Sequence, residues 1–222
     1  MIKGVIFDID GVLLDSLVIW NDLGARYLKS IGVEPEEGLG DTLFSMSMEQ
    51  GAEYLNDHYG LNKSTLEVRN SLSGMLERFY FDEVLPKPGA KEVLDFMKDC
   101  GMKMTAATSS PRLHVEKALE RNGMLKYLEK IFTSSEVGSS KHSPDIFNIA
   151  ARYMGTRPGE TLVLEDSLYA LKTAREAGFA TAGIADPSGE PDQKEVRSLA
   201  DIYIEDLNDL PAVYRGHHFI SL

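Results

Sequence analysis

Four short segments of the sequence hold carboxylate, hydroxyl and amine side chains whose types could support chemistry. The segments are Asp8-Ile9-Asp10-Gly11, Thr108-Ser109-Ser110, Lys141 and Glu165-Asp166-Ser167. Each also has an ordinary structural explanation: an acidic turn, a helix cap, a solvated lysine, or acidic residues at the start of a helix. The occurrence of all four in one chain is the feature that indicates a shared functional site.

The carboxylates among these residues predict a metal site. Asp8, Glu165 and Asp166 would repel one another strongly if they converged, unless a cation lay between them. Oxygen ligands with room for water and phosphate favour Mg²⁺. A single cysteine, and five histidines without ligand spacing, argue against the common zinc sites.

Such a site suits phosphoryl transfer, which needs mainly positioning and charge neutralisation. A carboxylate facing a metal-bound phosphoryl group can act as a covalent nucleophile. A second carboxyl group two residues further on can serve as a general acid and then as a general base. Lys141 and the hydroxyl of Thr108 offer donors for phosphoryl oxygens.

The elements that would position these residues follow from the apolar pattern. The run GVIFD at 4–8 predicts a buried strand, whereas residues 16–85 carry apolar residues at helical spacing with no good strand among them. From residue 86 onward, helices alternate with strands, which is typical of a parallel sheet. In this part Ser110-Pro111 predicts a helix N-cap followed by the first helical residue.

The fold class predicted is therefore α/β, a doubly wound, Rossmann-like parallel sheet with an inserted helical cap domain. The expected boundaries are 1–15 and 86–222 for the catalytic core domain and 16–85 for the cap. Because ligands bind at the carboxyl ends of the strands in such sheets, we expect the four segments to meet at one edge.

Composition narrows the classes of partner. The 222 residues carry a net charge of −12, without a Lys/Arg block long enough to neutralise a run of nucleic-acid phosphates. The acidic N-terminal segment and the lack of a long apolar stretch disfavour a signal peptide and a membrane partner, so a cytoplasmic location is predicted. Cys100 lies in an amphipathic stretch and is expected in the core. A monomer is the default expectation.

The runs FDIDGVLLDS, AATSS, KHSPDIF and VLEDS resemble, in this order, the four motifs of the haloacid dehalogenase superfamily of phosphohydrolases. The similarity extends over nearly the whole chain, and the helical insertion resembles the cap of the β-phosphoglucomutase-like branch. The resemblance implies an Mg²⁺-dependent phosphatase. It would hydrolyse a small phosphorylated metabolite, such as a sugar phosphate, through an aspartyl-phosphate intermediate.

Matching positions imply roles for individual residues. Asp8 would be the nucleophile and a metal ligand, and Asp10 the general acid and base, with its backbone carbonyl on the metal. Glu165 and Asp166 would complete the metal site. The phosphoryl group would be bound by Thr108, the backbone of Ser109, and Lys141.

The predicted cap departs from the mutase pattern. β-Phosphoglucomutases resemble this chain but carry a lysine, an arginine and a histidine where it has Phe44, Met48 and Trp20. A mutase must bind a second phosphate in the cap, so this difference favours hydrolysis, although Lys63 or Arg26 could supply a cation for mutase activity. Together with Met46, the three replacing residues are expected to form an apolar wall for the leaving group, or else to be core residues of the cap.

Two other functions fit less well. Dehalogenases of similar fold do not use Mg²⁺, so Asp10 and Asp166 would have no task in one. A phosphorylated receiver module has no insertion of this length after its first strand.

Overall fold

The computed structural model describes residues 1–44, 46–186 and 188–217, and the side chain of Phe44 lies outside that description. Its strands form one sheet in the order β3-β2-β1-β4-β5-β6, with each neighbouring pair parallel. The strands are β1 Gly4–Phe7, β2 Lys103–Thr108, β3 Lys130–Thr133, β4 Thr161–Glu165, β5 Ala180–Ile184 and β6 Ile202–Ile204. The order runs outward from β1 in both directions, which confirms the predicted doubly wound fold.

The described residues divide into two compact units, one of residues 1–15 with 85–222 and one of residues 16–84. The second unit is wholly helical. Its helices are α1 Val18–Ser30, α2 Leu39–Phe44, α3 Met48–His58 and α4 Thr65–Arg78, followed by a π-helical turn at Phe79–Glu83. Ser47 and Ser64 begin α3 and α4 with reciprocal capping boxes, which satisfy backbone N–H groups that a helix start leaves free.

The first unit places helices around the sheet. They are α5 Ala90–Asp99, α6 Arg112–Arg121, α7 Ser134–Val137, α8 Asp145–Met154, α9 Leu168–Glu176, α10 Gln193–Leu199 and α11 Leu210–Gly216. Short 3-10 turns lie at Leu125–Tyr127, Pro158–Glu160 and Leu207–Asp209.

The two central strands are buried along their whole length. Parallel strands covered on both faces consist of continuous apolar runs, as GVIF and TLVL do here. Ile6 and Val163 from these strands pack in one cluster with Phe147 and Met154 of α8. Each buried side chain of this size contributes about 1.5–3 kcal/mol through removal from water, so the cluster holds the central strand ends in fixed positions.

Two local predictions are wrong. Ser110 does not cap a helix: Pro111 is the N-cap residue of α6, without a side-chain capping bond, and the helix begins at Arg112. Cys100 is exposed rather than in the core, because α5 ends at Asp99 and its apolar face ends with it. No helix in the described part of the chain has the length and apolar character needed to cross a membrane.

Candidate active site

Three buried carboxylates meet where β1 and β4 end. Asp8, Glu165 and Asp166 each offer an oxygen, and these oxygens lie within 4.8 Å of one another. The parallel pairing of β1 with β4 sets this geometry, since the backbone N–H of Asp8 donates to the carbonyl oxygen of Leu164 at 2.9 Å. The sheet therefore converts two distant segments of sequence into one acidic cluster.

Lys141 lies inside this cluster with 3% of its side chain exposed. It follows α7 in the chain, and its Nζ contacts both Asp8 Oδ1 and Glu165 Oε1 at 2.5 Å. The other carboxylate oxygen of Glu165 accepts from the Ser167 hydroxyl at 2.9 Å. Glu165, expected from the sequence as a metal ligand, is thus also the anchor that holds Lys141 against Asp8.

The protonation of these groups is strongly shifted. Burial raises the pKa of Asp8 from its ordinary 3.8 to about 7; the charge of Lys141 works in the opposite direction. The pKa of Asp166 is raised well above its ordinary value by burial and then by the charges of Asp8 and Glu165. Burial alone would lower the pKa of Lys141, but its two carboxylate partners raise it above the ordinary value.

The charge of the cluster fits a bound divalent cation. Three carboxylates and one ammonium, all ionised, leave two negative charges in a buried space. Burying unbalanced charge is costly, and a divalent cation with oxygen ligands would remove the imbalance. The donor set and its net charge both suit a divalent cation, which Asp8 and Asp166, with Glu165 beside them, would hold.

The turn after β1 brings Asp10 into the same region. Gly11 adopts φ +79°, which favours glycine, and its N–H donates to the carbonyl of Leu14 at 2.9 Å. The Ser110 hydroxyl donates to Asp10 Oδ2 at 2.6 Å, while the Ser110 N–H donates to Thr108 Oγ1 at 3.0 Å. The ends of β1 and β2 are therefore joined through Ser110.

The other predicted phosphate-binding residues lie close by in the fold. Thr108 ends β2 with its side chain fully buried. The hydroxyl of Ser109, the next residue, lies 3.3 Å from that of Ser134 at the start of α7. The structure thus links Ser109 to the end of the adjacent strand β3, from which the chain leads on to Lys141.

Lys87 is a further polar residue of this region that the sequence reasoning missed. Its Nζ donates to the carbonyls of Gly11 and Ala185, at 2.6 and 2.8 Å, and to Asp186 Oδ2 at 2.9 Å. It thereby ties the turn after β1 to the loop after β5. The sequence signal for Lys87 is its place between Pro86 and Pro88, directly after the predicted boundary of the helical insertion.

The predicted specificity residues lie in the helical unit. Trp20 and Met48 line one cavity of about 60 Å³ within that unit, and 40% of Trp20 is exposed. The other lining residues are Leu23, Gly24, Leu43, Met46, Ser47, Gly51, Leu55 and Leu72. The cavity lining is therefore mostly apolar. The side chain of Phe44, the third predicted specificity residue, lies outside the described residues.

Residues 5–184 match the family model of the haloacid dehalogenase-like hydrolases. The chain belongs to this family. The match spans both sheet halves and the helical insertion, and it includes each of the four segments that carry the carboxylates, the hydroxyls and Lys141.

Curated relatives of this haloacid dehalogenase-like hydrolase are named as phosphatases. A phosphorylated carbohydrates phosphatase of Thermotoga maritima is 28% identical over 184 residues, 80% of this chain and 82% of the relative. Hexitol phosphatase A of Escherichia coli is 26% identical over 196 residues, 87% of this chain and 88% of the relative. These names and the family match confirm the predicted enzyme class, a phosphatase.

A solved structure supports the fold of the predicted branch. It is described as a candidate β-phosphoglucomutase from Thermotoga maritima, and it aligns with a TM-score of 0.87 over 98% of this hydrolase and 100% of the other chain. The sequence identity is 22%, so the likeness shows the fold alone. The fold therefore agrees with the predicted resemblance to β-phosphoglucomutases, while the family itself is shown by the family model.

Proposed function

We propose that this hydrolase releases inorganic phosphate from a small phosphomonoester in an Mg²⁺-dependent reaction that passes through a phosphorylated Asp8. The observation that carries the proposal is the pairing of Asp8 with Lys141 at 2.5 Å beside two further buried carboxylates. This combination supplies a nucleophile, a fixed positive charge and a cation site within one small region.

In the first step, an oxygen of Asp8 bonds to phosphorus while the bond from phosphorus to the leaving oxygen breaks. Asp10 donates a proton to the leaving alcohol as general acid. In the second step, water attacks the phosphorus of phospho-Asp8 and gives its proton to Asp10, which releases phosphate and regenerates Asp8. Lys141 favours the ionised nucleophile, which burial alone would disfavour.

Binding of the phosphoryl group falls to the donors around Asp8. Lys141 and the Thr108 hydroxyl donate to phosphoryl oxygens, together with the backbone of Ser109. Held by Asp8, Asp166, Glu165 and the carbonyl of Asp10, Mg²⁺ would supply neutralisation of the charge that develops on these oxygens.

The substrate class and the domain roles belong to the same proposal. The names of the relatives point to phosphorylated carbohydrates or polyols. The proposal assigns residues 16–85 to a helical cap domain and residues 1–15 with 86–222 to the catalytic core domain. We also propose Trp20 and Met48 as residues that select the leaving group; the third residue assigned to this role from the sequence is Phe44, whose side chain lies outside the described residues. We further propose that the enzyme is cytoplasmic and monomeric.

No observation on the described residues favours mutase activity. Trp20 and Met48 line an apolar cavity and offer no cation for a second phosphate. Arg26, which could have replaced the missing charge, is paired with Glu83 at 2.6 Å.

The proposal is tested by the variant Asp8→Asn with p-nitrophenyl phosphate as substrate. We expect phosphate release to be abolished while the melting curve stays cooperative, because the amide is a far weaker nucleophile than the carboxylate. EDTA should abolish the activity of the unmodified enzyme, and added Mg²⁺ should restore it.

The matched control is Asp99→Asn, which removes the same charge at an exposed position at the end of α5 and should leave turnover unchanged. Retained turnover in Asp8→Asn would remove Asp8 from the role of nucleophile. Turnover that persists in EDTA would remove the metal from the reaction.

A further inference from the structure

Ser110 contacts two residues of the proposed reaction at once. Its hydroxyl donates to Asp10 Oδ2 at 2.6 Å, and its backbone N–H donates to Thr108 Oγ1 at 3.0 Å. The hydroxyl does not cap a helix, because Pro111 is the N-cap residue of α6 and makes no side-chain cap bond. The Ser110 side chain is therefore committed to the turn after β1 rather than to the helix that follows it.

The backbone contact orients the Thr108 hydroxyl. A hydroxyl group has one proton and two lone pairs, and here one lone pair accepts from the Ser110 N–H. The proton of Thr108 must then point away from Ser110, toward another acceptor. Thr108 is fully buried, so a phosphoryl oxygen is an acceptor it can serve without competition from bulk water.

The side-chain contact orients the carboxyl group of Asp10. Oδ2 accepts a short hydrogen bond from the Ser110 hydroxyl, and this bond favours one orientation of the carboxyl plane. The position of the donor is well defined, because a residue that precedes proline is restricted to extended backbone conformations, and Pro111 follows Ser110. The Ser110 hydroxyl thus donates from a restricted backbone position to one oxygen of Asp10.

We propose that Ser110 is a positioning residue that orients Asp10 for proton delivery to the leaving alcohol. The inference rests on the proposed function, in which Asp10 is the general acid. Its consequence is specific: losing the Ser110 hydroxyl harms the cleavage of esters whose alcohol must be protonated as it leaves, and spares esters whose alcohol leaves readily as an anion.

The test compares Ser110→Ala with the unmodified enzyme on two esters of similar size, p-nitrophenyl phosphate and benzyl phosphate. The first releases a stable phenolate, whereas the second releases an alkoxide that needs a proton. The quantity measured is kcat/KM, which reports the steps up to the first phosphoryl transfer. We expect about a 10- to 100-fold loss for benzyl phosphate and less than about a threefold loss for p-nitrophenyl phosphate.

Three further variants complete the design. Ser110→Thr keeps a hydroxyl and should restore most of kcat/KM for benzyl phosphate. Ser198→Ala removes a surface hydroxyl that donates to the Glu195 carbonyl in α10, and it should change neither ester. If Ser110→Ala does not fold, as judged by its thermal melt, Ser110→Cys carries the same comparison with a similar volume and a much weaker donor.

Equal losses for the two esters would overturn the inference, because Ser110 would then support only the fold or phosphate binding. Unchanged kcat/KM for benzyl phosphate would overturn it as well. Failure of the proposed function has a different signature: the unmodified enzyme itself would release no phosphate from either ester, and both proposals would fall together.

Discussion

Removal of an active-site carboxylate should make the metal-free protein more stable. Asp166 is 5% exposed, and its oxygen lies within 4.8 Å of those of Asp8 and Glu165. In the absence of a cation, its ionised form is repelled by both neighbours and has lost most of its hydration. The variant Asp166→Asn keeps the shape of the side chain and removes the charge.

The size of the effect follows from the geometry. Two unit charges 4.8 Å apart repel by about 3.5 kcal/mol at an effective dielectric constant of 20. Asp166 experiences two such repulsions and one attraction, to Lys141, so about one repulsion remains uncompensated. Because the raised pKa of Asp166 lets a proton relieve part of it, we expect a gain of about 1–3 kcal/mol at pH 8.

The assay is thermal unfolding at pH 8, in EDTA and across an Mg²⁺ titration. In EDTA the variant should melt about 2–12 °C above the unmodified protein, which is the shift that such a gain causes in a chain of this size. Added Mg²⁺ should stabilise the unmodified protein, by about 2.7 kcal/mol at a hundred times Kd, and should leave the variant unchanged. Phosphatase activity should be lost in the variant.

The reasoning would be refuted by a variant that melts below the unmodified protein in EDTA, since the cluster would then not be under electrostatic strain. It would also be refuted if Mg²⁺ raised the melting temperature of the variant as much as that of the unmodified protein. Asp99→Asn, at an exposed position, serves as the charge control and should move neither melting temperature.

Three further predictions concern the same region. Burial raises the folded-state pKa of Asp8 to about 7, so the stability that protonated Asp8 contributes is present below pH 4 and is lost as the pH rises through 7. The melting temperature in EDTA should therefore fall between pH 4 and pH 7. A melting temperature that stays constant over this interval would contradict the raised pKa. Lys141→Met leaves Asp8 and Glu165 without their buried partner, so we expect a loss of about 3–5 kcal/mol in urea unfolding and at least about a hundredfold loss of kcat. Lys87→Met removes the hydrogen bond to the Gly11 carbonyl in the turn that carries Asp10, so Mg²⁺ binding measured by calorimetry should be weaker. An unchanged Kd would show that the metal site does not need this hydrogen bond.

Much of the fold could be predicted because the signals for it are local. Apolar runs such as GVIF and TLVL predict buried parallel strands, and three- and four-residue spacing predicts the helices between residues 16 and 84. The rule that parallel strands present their carboxyl ends at one edge then predicts that Asp8 lies near Asp166. The period of a pattern and the order of elements are properties that a sequence displays directly.

The partners of individual polar side chains were decided only by the tertiary structure. Ser110 was predicted to cap a helix, but its hydroxyl reaches Asp10, 100 residues away in sequence. Lys87 contacts Gly11 across 76 residues, and Glu165 proved to be an anchor for Lys141 as well as a member of the carboxylate cluster. A side chain binds whichever group the sheet order brings within 3 Å, and that distance depends on strand register and loop path, which no local pattern encodes. The sequence determined which chemical groups meet at this edge of the sheet, and the packed structure determined which of them touch.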